Sequence, residues 1–129
     1  MSAVMIRRLV RSFTPSDRAQ SETTPLYQVQ AGERVLWASL RIVTRSETGV
    51  ATSTFDVGDG SDPDGYIAAV NSDQAGGTIV AGNGAYTNQA GGKLYTAGDT
   101  VDVVYTPNTG GATTPTCKIH IAVARDWPQ

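Results

Sequence analysis

"RVLWASLRIVTR", residues 34–45, is the stretch that decides the fold. Leu36, Ala38, Leu40 and Ile42 fall on one face of an extended strand, and Trp37, Ser39, Arg41 and Val43 on the other. That period of two marks a half-buried β-strand. The pattern repeats downstream. "VATSTFDV" (50–57) sets Ala51, Ser53, Phe55 and Val57 against Thr52, Thr54 and Asp56. "DTVDVVYTP" (99–107) puts Val101, Val103 and Tyr105 together. "KIHIAVARDW" (118–127) aligns Ile119, Ile121 and Val123 opposite Lys118, His120 and Ala122. Shorter candidates are "YQVQ" (27–30), "GYIAAV" (65–70), "GTIVAG" (77–82) and "KLYTAG" (93–98). Each is bounded by Gly, Asp, Asn or Pro, and the body shows no helical period. The expected fold is all-β: a single β-sandwich or jelly-roll-like domain of about seven or eight short antiparallel strands.

The 129 residues suffice for one such domain. The N-terminal part reads differently. Residues 1–20 carry Arg7, Arg8, Arg11 and Arg18 against Asp17, whereas the rest of the chain is net acidic. "VMIRRLVRSF" (4–13) fits an extended arm or a short amphipathic helix, and "TPSDRAQSETTP" (14–25) lacks any large apolar residue. We therefore divide the chain into an arm and polar linker (1–25) and a sandwich domain (26–129). A basic arm on an acidic body suits an acidic partner. Nucleic acid is not expected, because the arginines lack interleaved aromatics. No stretch approaches a membrane span and no signal peptide is read, so use without secretion is expected.

"DVGDGSDPDG" (56–65) is the one stretch that invites a metal. Placed as an EF-hand loop, with Asp62 and Asp64 third and fifth, Gly65 falls correctly, but Gly60 and Asn71 stand where the first ligand and the bidentate Glu belong. A looser calcium set of Asp56, Asp59, Asp62 and Asp64 is the weak alternative to a turn shaped by Asp, Gly and Pro63. No cofactor is expected. The lone Cys117 and lone His120 make an N/S metal site improbable. No catalytic motif pairs His120 with a nucleophile, so no enzyme is expected. Trp37 and His120, both opposite the expected core face, are candidate interface residues. Trp37, Tyr66, Tyr86 and Tyr95 are a candidate aromatic platform for weak surface glycan binding.

The run "VLWASLRIVTRSETGVATSTFDVGDGSDPDGYIAAV" (35–70), followed by "LYTAGDTVDVVYTP" (94–107) and "CKIHIAVARDW" (117–127), resembles a pattern of small virion proteins of tailed bacteriophages. These are similar to head decoration (auxiliary capsid) proteins. The resemblance implies a structural protein on the capsid exterior, assembled in the host cytoplasm. Its implied partners are the major capsid protein and, as a homotrimer, itself. A head-fibre, spike or tail-associated role is the near alternative, and a carbohydrate-binding module the distant one. The resemblance offers no motif for the arm. Composition alone points to Met5, Ile6, Arg7, Arg8, Leu9, Val10, Arg11 and Phe13 as its capsid-binding residues. Each buried apolar side chain would contribute about 1–3 kcal/mol, less the cost of ordering the arm. Deleting residues 1–13 is expected to leave the body folded.

Overall fold

The computed structural model describes residues 3–46, 53–89, 91–108 and 113–127. Nine strands occur among them: β1 (Ala3–Phe13), β2 (Glu22–Val29), β3 (Glu33–Thr44), β4 (Thr54–Gly58), β5 (Ile67–Asn71), β6 (Ile79–Ala81), β7 (Lys93–Leu94), β8 (Asp99–Thr106) and β9 (Thr116–Trp127). A single 3-10 turn spans Ala85–Asn88. The first sheet runs β1-β9-β3-β6, with β7 paired to another part of β3. The second runs β2-β8-β4-β5. All pairings are antiparallel. The fold is the all-β sandwich expected from the alternation.

The core follows the period of two. Ala38, Leu40 and Ile42 of β3 and Ile119, Ile121 and Val123 of β9 are buried from the first sheet. Phe55 and Val57 of β4 and Val101, Val103 and Tyr105 of β8 meet them from the second. Ala51, read with the Phe55 face, lies outside the described residues.

One phase differs from the expectation. Val35 pairs with Val123 and Trp37 with Ala122, so Leu36 is an extra residue on β3. This bulge lets both Val35 and Ala38 point inward although one is odd and the other even. Leu36 is left half-buried at the bulge. Simple alternation cannot see such an insertion.

The N-terminal segment is extended, and it is paired. Ala3 to Phe13 runs beside β9 in unbroken register, from Ala3 opposite Trp127 to Phe13 opposite Cys117. Phe13 is buried, edge-on to Phe55. Glu22–Pro25, read as linker, begins β2 instead and pairs with β8. These polar residues lack a core face, but an edge strand needs only backbone partners on one side. Pro25 is tolerated because it sits where the register shifts.

Candidate functional site

Antiparallel partners share a face of the sheet, so the registers define what the outside of the first sheet presents. One row across it reads Ile6, Ala124, Arg34, Leu94. The next reads Arg8, Ala122, Trp37. A third reads Val10, His120, Ser39, Ala81, and a fourth Ser12, Lys118, Arg41, Ile79. Ile6, Val10, Trp37, Ile79 and Leu94 are large apolar side chains left exposed, Ile79 to 67% and Trp37 to 42%. Ala122 is fully buried although it faces outward, since its methyl lies in the row between Arg8 and Trp37.

The charge on this face is predominantly basic. Arg8, Arg34, Arg41 and Lys118 lie on it, and Asp126, opposite Val4 at the end of β9, is the one acidic residue that the strand registers place there. The strands of the second sheet carry Glu22, Asp56, Asp99 and Asp102 and no basic residue. The sandwich is thus polar from sheet to sheet. The rows bring Trp37 and His120, the two candidate interface residues, together on this face in adjacent rows. They also add Ile79 and Leu94, which short Gly-flanked strands hid from sequence reading.

The arm residues divide by parity. Ile6, Arg8 and Val10 face outward with Trp37. Arg7 turns to β2, where its Nη2 donates to the Tyr27 hydroxyl at 2.8 Å. That hydroxyl donates in turn to the Glu33 carboxylate, at 2.9 and 3.0 Å to its two oxygens. Arg11 Nε donates to the Leu26 carbonyl at 3.0 Å. Leu9 packs against the core, and Phe13 is within it. Met5 remains exposed and, with Arg7, Glu33, Val123 and Arg125, lines a cavity of about 200 Å³.

The four aspartates do not gather around one point: Asp62 and Asp64 lie side by side, and the bond between their carboxyls raises the Asp62 pKa, while Asp59 and Asp56 are engaged elsewhere. Asp59 is buried, and its Oδ1 accepts from the Ser61 and Asp62 amides at 2.9 Å each and from the Tyr86 hydroxyl at 3.0 Å. Its Oδ2 accepts from the Tyr95 hydroxyl at 2.8 Å and from the Lys93 ammonium. Lys93 Nζ also sits 3.9 Å from the Tyr86 ring centre and 4.6 Å from that of Tyr95. Burial works to raise the Asp59 pKa, but the bonds from Lys93, Tyr95, the Asp62 amide and Tyr86 outweigh it and hold the carboxyl below its usual range. Burial likewise works to lower the Lys93 pKa, and Asp59 and Tyr86 hold it above the usual value. Asp56 serves elsewhere. It accepts from the Ala69 amide at 2.6 Å, at a bulge where Ala69 takes φ 52°. Among the described residues no three His, Cys, Asp or Glu side chains are placed to share a metal ion. Gly58 and Gly65 serve by their size: a Cβ on the first would meet the Asp62 carbonyl at 2.1 Å, and on the second the Tyr86 ring at 2.3 Å.

The four aromatics do not form a platform. Tyr66 and Tyr95 are buried with their hydroxyls 2.7 Å apart, and Tyr86 packs edge-on against Tyr66. Trp37 is alone on the other side of the first sheet.

No family model matches the chain, and no curated protein sequence matches it. Solved structures match its fold. A chain of the cyanophage Pam1 capsid asymmetric unit superposes with a TM-score of 0.62 at 17% identity, covering 98% of this chain and 86% of that one. A chain of the acidic stable capsid of Helicobacter pylori bacteriophage KHP30 gives 0.66 at 10% identity, covering 100% and 95%. A chain of the capsid of Ralstonia phage GP4 gives 0.62 at 20% identity, covering 95% and 84%. At these identities the likeness is one of fold.

Proposed function

We propose that this chain is a structural virion protein that decorates the exterior of a phage capsid, docking through the outer face of its first sheet. The observation that carries this reading is that face: exposed Ile6, Val10, Trp37, Ile79 and Leu94 set among Arg8, Arg34, Arg41 and Lys118, against a single acidic position, Asp126, at its end. A monomeric domain has little use for so many exposed apolar groups on one sheet. Their basic frame selects an acidic, partly apolar surface. The fold neighbours supply the context, since all three come from phage capsids. The function is mechanical and asks for no reacting group. Many weakly docked copies, each bridging shell subunits, give strong net retention. The proposal includes the homotrimer implied by the sequence resemblance, and β1 as the anchor through Ile6, Arg8 and Val10.

The test is quantitative mass spectrometry of purified particles. About one copy per major capsid subunit, as multivalent decoration requires, is the expected result. A few copies per particle would favour a fibre or tail role instead, and absence from particles would overturn the reading.

A further inference from the structure

We propose that the free edge of β1 is a receptor for an extended acidic segment of the partner, which adds as a further strand to the first sheet. This deepens the docking proposed above and rests on that reading for the partner's identity. A sheet edge offers a row of unpaired amides and carbonyls, and stable monomers blunt such edges. Three edges here are blunted. β6 and β7 are three and two residues long. β2 carries Pro25 at a register shift. β5 has five residues and a bulge at Ala69. The fourth edge is β1: eleven residues in unbroken register with β9, no proline, and no described strand on its other side. Its arginines blunt it only in part: Arg7 and Arg11 are drawn under it to Tyr27 and Leu26, and Arg11 Nη1 covers one carbonyl, that of Val10, at 3.3 Å.

The side chains specify the occupant. A second copy of β1 is disfavoured, since the symmetric antiparallel registers about its middle that keep both outer faces on one side of the sheet set Arg7 opposite Arg7, Arg8 opposite Arg8, or Arg7 opposite Arg11. An incoming strand meets Ile6, Arg8 and Val10 on the outer face in that order. The matching segment reads apolar, any, acidic, any, apolar. Strand addition of this kind takes its affinity from the backbone and its specificity from alternate side chains.

The probe is a blocked peptide with the core Val-Thr-Glu-Thr-Val, and its twin with Lys in place of Glu, titrated into the full chain. Amide shifts and hydrogen exchange are read by NMR. The expected result is protection of amides between Met5 and Arg11, with the Glu peptide about tenfold tighter than its twin. Arg8→Glu, an exposed change that leaves the fold intact, should invert that preference. Three outcomes overturn the proposal: no binding at about 1 mM peptide, protection mapped to β2 or β5, or equal binding of the twins. Concentration-dependent protection of β1 without peptide would overturn the occupant in favour of a second copy. Particle composition tests the decoration reading separately, so the two fail independently.

Discussion

Phe13, the last residue of β1, stands edge-on to Phe55 of β4, with ring centres 6.0 Å apart and planes at 84°. One buried ring thus ties the N-terminal strand of the first sheet to the second sheet. Phe13→Ala should cost about 3 kcal/mol, at the low end for a buried Phe because it lies near an edge. Ile6→Ser, on the same strand but exposed, should stay within about 0.5 kcal/mol. Urea unfolding of the two variants checks the contrast. Deleting residues 1–13 removes Phe13 and uncovers β9 together, so the truncated chain should be markedly less stable. That outcome differs from the folded body expected of a detached arm.

The Asp59–Lys93 pair gives a pH signature. Asp59 is held below its usual pKa, so its stabilisation is complete above the ordinary carboxylate range and is lost as pH falls through the folded value. Lys93 is held above its usual pKa, so its stabilisation is complete below the ordinary lysine range and is lost as pH rises through the folded value. Lys93→Met leaves a buried carboxylate with its hydroxyl and amide donors alone. It should cost about 3 kcal/mol near neutral pH and flatten the alkaline loss. Urea midpoints of both proteins across the pH range read this directly.

Trp37→Ser removes an exposed ring from the centre of the outer face. Stability should change by less than about 0.5 kcal/mol. Binding to undecorated shells should weaken by about tenfold or more if the ring is an interface anchor. Co-sedimentation with shells, alongside a melting curve, separates the two effects. Retained binding would place the contact elsewhere.

Because Arg8, Arg34, Arg41 and Lys118 all lie on that face, docking should weaken as salt rises. Arg41→Glu should weaken it further and reduce the salt dependence. The same co-sedimentation, repeated across sodium chloride concentrations, tests this.

Cys117 is fully buried between Phe13 and Ile42 in the register, and burial pushes its thiol pKa up to about 12. It should resist an aromatic disulfide reagent in the folded chain and react at a rate limited by unfolding. Phe13→Ala should speed the reaction. Rapid labelling of the folded protein would contradict the burial.

The inner face was readable because burial imposes a period of two, which β3, β4, β8 and β9 all carry. The bulge at Leu36 was not readable, because an inserted residue leaves the local composition unchanged. β1 and the start of β2 were hidden for a different reason. Their strand character comes from backbone pairing with β9 and β8, which polar sequence such as Glu22–Pro25 does not advertise. Trp37 and His120 stood out as residues opposite a core face. Ile79 and Leu94 became neighbours of Trp37 only through the sheet order. The aspartate run divides: residues 56–58 close β4, and the residues after them connect back to β5. Its glycines provide room for backbone and for Tyr86, and Asp59 depends on a lysine 34 residues downstream.

The separation of charge between the two sheets has a colloidal consequence. A shell coated by copies lying basic side down would turn Asp56 and Asp102 toward the medium. Coating would then make the particle more anionic, raising its electrophoretic mobility toward the anode and its repulsion from other particles. The layer would keep virions dispersed as well as bound together.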